Sequence, residues 1–223
     1  LQNGKLALSN ISFGDRSFEG YVQHDQYICR DGVQEYLPSF TYHGFRYVEV
    51  KGITKEQATK DLLEYVVIHS DIPPRGRFSC SDETVNRIQE CALRSDTSNF
   101  YYFPTDCPQR EKNGWTADAS LSAEQLLYNF DCAASLREWL NNIRKAQTKE
   151  GALPGIVPTS GWGYEWGNGP AWDSVLIELP YQLYRFTGDK EVIEENSEAI
   201  ERYFDYLETK KNGDGLFAFG VGD

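Results

Sequence analysis

The chain has 223 residues, 22 of them Lys or Arg and 34 Asp or Glu, for a formal net charge of −12. That acidic balance argues against nucleic acid or an anionic membrane surface as partner, since both reward clustered positive charge. Hydrophobic content of 40% and charged content of 25% are ordinary for a globular protein, and the length allows one large domain or two modest ones.

No apolar run approaches the ~20 residues a membrane helix needs. The chain opens on Leu1, contains no methionine and shows no leader pattern. It therefore reads as a piece of a longer precursor, and its compartment (periplasmic, secreted or cytoplasmic) is not legible. Five cysteines (Cys29, Cys80, Cys91, Cys107, Cys132) are an odd number without CxxC spacing, and His24, His43 and His69 are scattered. Neither a disulfide framework nor a metal site is expected, and no cofactor is implied.

In chain order, the first third reads as β-structure. Tyr27–Cys29, Phe45–Val50 and Tyr65–His69 are short segments of β-branched and aromatic residues, broken by Asp31-Gly32 and His43-Gly44. Phe45, Tyr47 and Glu49 alternate with Arg46, Val48 and Val50, as in an antiparallel strand. A short helix is expected between strands, within residues 53–64. The character changes at Ile72-Pro73-Pro74-Arg75-Gly76, and after residue 79 the period becomes helical.

Five apolar stripes follow. The first is Val85, Ile88, Cys91 and Ala92 behind a Ser81-Asp82-Glu83 start; the second is Ala119, Ala123, Leu126 and Leu127. The third is Ala133, Leu136, Leu140, Ile143 and Ala146. The fourth is Val175, Leu176, Leu179, Leu183 and Phe186, stopped by Gly188; the fifth is Val192, Ile193, Ala199, Ile200, Phe204 and Leu207, stopped by Asn212-Gly213. Long aromatic, Gly-rich loops between them do not suit a compact up-down bundle.

Two of those loops carry chemistry. Residues 105–118 hold three carboxylates (Asp106, Glu111, Asp118), Arg110 and Trp115, and Pro108 and Gly114 make Asp106–Gly114 a loop. Asp118 falls near a helix start, where it can also cap. Carboxylates beside an aromatic face suit the grip and cleavage of a sugar. For Arg110 and Glu111 the alternative is an ordinary ion pair, and Cys107 reads as small buried filler. The second loop, Gly151–Asp173, brings Trp162, Tyr164, Glu165, Trp166 and Trp172 together. Its tryptophans read either as core plugging a mouth or as a wall on which a pyranose stacks.

The stretch Asp106-Cys107-Pro108-Gln109-Arg110-Glu111-Lys112-Asn113-Gly114-Trp115-Thr116, followed by Asp118, resembles the signature of the bacterial α-L-rhamnosidases, glycoside hydrolase family 78. Phe40–Val50 and Pro170-Ala171-Trp172-Asp173 resemble the same family, so the likeness runs from about residue 20 to the end. Ala117 departs from it, standing where the family more often has Gly. The resemblance implies a mainly α fold with a β N-terminal part: the end of an antiparallel β-sandwich domain over 1–75, then the first part of an (α/α)6 toroid over 76–223. Six hairpins at ~11–14 residues per helix exceed the positions available after residue 79, so a partial toroid is expected.

The resemblance implies an inverting hydrolase that removes terminal α-L-rhamnose from a glycan or glycoside. Glu111 would be the general acid, with Asp106, Arg110, Trp115, Asp118, Trp172 and Asp173 holding the sugar. An inverting enzyme also needs a base about 6.5–9.5 Å from the acid. The family's base stretch has no match in this chain, where Asp118, Glu165 and Asp173 are the stand-ins. The general base is thus expected outside the chain, and residues 1–223 alone are expected to be inactive. Two alternatives stand beside this reading: a non-catalytic carbohydrate-binding protein on the toroid, and a hydrolase of another glycan on the same fold.

Overall fold

The computed structural model describes residues 3–6, 23–159, 161–217 and 219–220. The first and last residues of the expected domains, including 20–22 and 221–223 of the family-like span, lie outside the described residues. The chain divides into two compact units, one of residues 1–68 with Cys107–Lys112, the other of His69–Asp106 with Asn113–Asp223.

In the helical unit, the elements are α1 (Glu83–Ser98), β1 (Phe100–Tyr101), β2 (Phe103–Pro104), α2 (Thr116–Asn129), α3 (Ala133–Ala146), α4 (Pro170–Asp173), α5 (Val175–Thr187) and α6 (Glu191–Glu208). Each of the five stripes is a helix, and α4 is an addition. Its signal was Gly169-Pro170, because proline at the first helical position costs no hydrogen bond. β1 and β2 form a minimal antiparallel pair, Phe100 opposite Pro104.

Helix α5 packs against α2, α3 and α6, so it is the centre of the unit. Leu127, Leu136, Leu140, Ile143, Val175, Leu176 and Leu179 are at most 1% exposed and form the middle of that contact. Asp82 caps α1 by accepting from the Thr84 and Val85 N–H groups at 2.8 and 3.4 Å. Gly188 ends α5 in the left-handed conformation, its N–H on the Tyr184 carbonyl at 2.8 Å.

Two stripes depart from the sequence pattern. No residue of α1 is buried, and of its expected stripe Val85, Ile88 and Cys91 are exposed, Ile88 at 64%, while Ala92 is half-buried. The half-buried residues are Asn86, Gln89, Ala92, Leu93, Asp96 and Thr97, most of them polar. Gln89 donates to Asn129 at 2.6 Å, and Gln125 donates to Asp96, whose pKa burial raises to about 6. In α6 the inner face is Val192, Asn196, Ala199, Tyr203 and Leu207, while Phe204 is 51% exposed. Inward polar side chains are mostly hydrogen-bonded. In α6, Tyr203 donates to Asp173 Oδ2 and Asn196 Nδ2 donates to Val192 O, while Asn196 Oδ1 is buried without a partner among the described residues.

In the N-terminal unit, none of the segments expected as strands (27–29, 45–50, 65–69) forms a strand among the described residues. Strands exist only with a hydrogen-bonded neighbour, and among the described residues these segments have no such ladder. Side-chain contacts remain, Phe45 edge-on to Tyr65 at 5.2 Å and Tyr27 stacked on Tyr36 at 4.8 Å. The expected helix within 53–64 is a pair of turns, Ala58 N–H to Lys55 O and Leu62 N–H to Thr59 O. A short helix needs an amphipathic face to bury, and residues 51–69 are exposed throughout. Among the described residues, no helix is long and apolar enough to cross a membrane.

The contrast between α1 and the core is measurable by denaturant unfolding. Leu140→Ala is expected to cost about 2–5 kcal/mol, whereas Ile88→Ala should stay within about 0.5 kcal/mol. A loss above ~1.5 kcal/mol at Ile88 would mean that the outer stripe of α1 is covered.

Candidate active site

Trp115 is the hub of the helical unit's site. The chain on either side of it pairs with the loop after α3: Val157 N–H donates to Gly114 O and Thr116 N–H to Gly155 O, each at 2.9 Å. The Thr116 hydroxyl adds a third bond to Gly155 O at 3.0 Å, and α2 starts there. Trp115 is 5% exposed, with its ring 5.2 Å from Trp166, 6.4 Å from Trp172 and 6.5 Å from Trp162. Gly167 passes so close that a Cβ there would lie 2.5 Å from the Trp115 ring, and its φ of +72° also favours glycine.

Four of the five tryptophans thus form one cluster; the fifth, Trp139, lies in the core and donates to Val157 O at 2.9 Å. Trp162 and Trp166 stack at 5.1 Å, and both are half-buried like Trp172. Both readings of the aromatic loop therefore have members, with Trp115 as the covered plug and the other three offering ring surface.

Trp172 and Asp173 do not face the same way. Successive helical residues diverge by ~100°, and on α4 that sends Asp173 inward. It is 1% exposed, and Tyr203 of α6 donates its hydroxyl to Asp173 Oδ2 at 3.1 Å. Asp173, expected among the sugar-holding residues, is therefore placed against α6 in this structure. Among the described residues, Asp173 Oδ1 and Trp172 Nε1 are buried without a hydrogen-bond partner. Burial pushes the Asp173 carboxyl up to about 7, against the smaller pull of its Gly169 and Tyr203 hydrogen bonds.

The motif loop is pinched at its neck, where Asp106 N–H donates to Asn113 O at 3.1 Å and Asn113 N–H to Asp106 Oδ1 at 2.9 Å. Asp106 is half-buried there. Asp118 lies in the first turn of α2 and is exposed, and α2 has no side-chain cap. Its aspartate therefore stands where the helix dipole favours it.

The six residues Cys107–Lys112 belong to the N-terminal unit. Glu111 is there, its side chain 18% exposed, with Oε1 2.8 Å from Arg110 Nη2. The ion pair of the alternative reading is present, and it does not exclude an acid role. Cys107 is half-buried and accepts the Glu111 N–H on its sulfur at 3.1 Å, so it shapes the turn as well as filling space. Glu165, the other stand-in base, is exposed and lines a cavity of about 610 Å3 with Glu150, Tyr164, Tyr206 and Lys210.

Sequence reasoning passed over Tyr203 and Lys112. Tyr203 lies 30 positions from Asp173, and nothing local signals the pair. Lys112 adopts a φ of +58°, a backbone state without a sequence code in lysine.

Comparison with known proteins identifies the family. Residues 73–223 match the bacterial alpha-L-rhamnosidase 6 hairpin glycosidase domain, and residues 3–69 the bacterial alpha-L-rhamnosidase concanavalin-like domain. The chain belongs to the bacterial α-L-rhamnosidases, a family of glycoside hydrolases. It is 33% identical over 196 residues to an alpha-L-rhamnosidase of Alteromonas sp. (strain LOR), covering 86% of this chain and 21% of the relative. It is 35% identical over 196 residues to one of Streptomyces avermitilis, covering 86% and 18%. Among solved structures, an α-L-rhamnosidase of Aspergillus terreus superimposes with a TM-score of 0.73 at 35% identity, covering 84% of this chain and 22% of that one. The S. avermitilis enzyme complexed with L-rhamnose gives 0.61 at 28%, covering 65% and 14%. The chain thus spans about a fifth of the length of these curated relatives.

The buried Asp173 gives a pH signature. A carboxyl raised in the folded state stabilises the fold fully below its unfolded pKa, and that contribution is lost as pH rises through the folded value. Stability should therefore fall between pH 3.8 and about 7, by up to roughly 4 kcal/mol. Asp173→Asn should flatten that slope in urea melts taken across the range. An unchanged slope would show that another group carries it.

Proposed function

We propose that the protein carrying this chain hydrolyses terminal α-L-rhamnosides with inversion at the anomeric carbon. The observation that carries the reading is the loop 105–118, which displays a partly covered, arginine-paired Glu111 in a chain that belongs to the α-L-rhamnosidases. Support for the sugar comes from the relative bound to L-rhamnose.

In this reading Glu111 protonates the glycosidic oxygen as the C1–O bond breaks. Water adds to C1 from the opposite face and gives its proton to a second carboxylate. Proton exchange with solvent then restores both groups. Asp106 and Asp118 bind sugar hydroxyls, and Arg110 orients the Glu111 carboxyl. Trp172, with Trp162 and Trp166, offers ring faces to the apolar side of the pyranose. Trp115 holds those rings in place, and Asp173 braces Trp172 from within.

We place the general base outside residues 1–223, and read the helical unit as the first part of an (α/α)6 toroid following a β-sandwich domain. Asp173 is 1% exposed and accepts from the Tyr203 hydroxyl, which suits a brace better than a base that must reach water.

In the active protein that carries this chain, Glu111→Gln is expected to lower kcat/KM on alkyl rhamnosides by 10²–10⁴-fold. On nitrophenyl rhamnosides, whose leaving group needs little protonation, the loss should be under about tenfold. Equal mild losses on both would leave Glu111 as an ion-pair partner only.

A second test concerns binding. In the Glu111→Gln background, Trp172→Ala should weaken rhamnose affinity at least about tenfold by calorimetry, or about 1.4 kcal/mol. Unchanged affinity would remove Trp172 from the sugar site.

A further inference from the structure

The loop that carries Glu111 is held by a segment some seventy residues upstream. Lys112 follows the glutamate and has a φ of +58°. A non-glycine residue in that region stores roughly 1 kcal/mol or more, so its surroundings must over-determine it. Three contacts do so. The Lys112 N–H closes the turn onto Cys107 O at 3.1 Å, its Nζ donates to Tyr42 O at 2.6 Å, and the same ammonium lies 5.2 Å from the centre of the Tyr42 ring. Burial lowers the Lys112 pKa, opposed by the charge of Asp25, so the ammonium is partly desolvated where it grips the carbonyl. A desolvated ammonium bound in this way is costly to release.

The receiving segment is itself anchored. The Gly44 N–H donates to Gln23 Oε1 at 2.7 Å, and His43 Nε2 lies 2.7 Å from Asp25 Oδ2. Gly44 meets the loop backbone directly. A Cβ there would lie 3.1 Å from Gln109 Cβ and 3.2 Å from both Gln109 N and Pro108 C, so the loop would have to give by a few tenths of an ångström. One side of the acid-bearing loop is thus fixed by a polar tether and the other by a close backbone contact at Gly44 that an added Cβ would crowd.

We propose that Lys112 and Gly44 are positioning residues for the Glu111 carboxyl, acting through the Lys112–Tyr42 tether and the Gly44–Gln109 contact on loop 107–112. This rests on the reading of Glu111 as general acid. An acid must lie within hydrogen-bond reach of the oxygen it protonates, and a displacement of ~1 Å costs up to about 100-fold. That loss falls where protonation matters, so it depends on the leaving group. A defect of folding or of sugar binding would not.

The experiment compares kcat/KM on an alkyl and on a nitrophenyl rhamnoside, in the full-length protein, for Lys112→Met, Lys112→Arg, Gly44→Ala and Glu111→Gln. Lys112→Met is expected to lose about 10–100-fold on the alkyl substrate and under about threefold on the nitrophenyl one, with rhamnose affinity unchanged. Lys112→Arg, which keeps a cation for the carbonyl, should recover most of the loss. Gly44→Ala should reproduce the selectivity from the other side of the loop, and carries the test if Lys112→Met does not accumulate folded. Losses that are equal on the two substrates in folded Lys112→Met and Gly44→Ala overturn the proposal. If Glu111→Gln shows the leaving-group selectivity and these variants do not, only the positioning role fails. If Glu111→Gln lacks it too, the acid reading fails with it.

Discussion

Three hydrogen bonds between Gly114–Thr116 and Gly155–Val157 are the constraint on which the helical unit's site depends. They join the residues just before α2 to the loop just after α3, two pieces of chain about forty positions apart. Thr116 contributes both its N–H and its hydroxyl to one carbonyl, so the start of α2 is set by a neighbour rather than by a cap of its own. Trp115 lies inside this pairing, and its ring direction follows from it. The other tryptophans then arrange around a ring that is already fixed. Trp139 connects the same loop to the core by donating to Val157 O, so the hub and the hydrophobic interior share one piece of backbone.

The Asp173–Tyr203 pair shows what a carboxyl costs inside such a core. Desolvation outweighs the two hydrogen bonds that favour its charged form, so the acid sits near its titration midpoint at neutral pH. A phenol donating from α6 reduces that cost and connects α6 to the four-residue helix α4. A helix of one turn has little stability of its own. Its place next to the Trp115 cluster is therefore maintained from outside, by Tyr203 and by the ring contact between Trp172 and Trp115.

Legibility followed the range of the forces. Helices α2, α3 and α5 were readable because apolar spacing and burial agree, and local breakers such as Gly188 ended α5 where expected. Helix α1 was found at its expected position but facing the wrong way, since its inward face carries Gln89 and Asp96, whose partners Asn129 and Gln125 sit on another helix. Asn196 and Tyr203 hid the true face of α6 in the same way. The motif loop was recognisable from its residues, and the inward turn of Asp173 was not, because it depends on the helical geometry of α4. The expected strands were proposed from β-branched and aromatic composition, turn breakers and, in 45–50, alternation; these state a local preference without providing the neighbour that a ladder requires.

Read as a line of text, residues 105–118 form one motif, but the folded chain distributes them. Asp106 and Asn113 close the neck within the helical unit, and the six residues between them make their contacts with Tyr42 and Gly44. The surroundings of the Glu111 loop are therefore written partly in the non-helical third of the chain, through Tyr42 and Gly44. The two family-like stretches, 40–50 and 105–118, belong together for this mechanical reason. One carries the carboxylate, and the other contributes the carbonyl, the ring and the missing side chain that keep its loop in place.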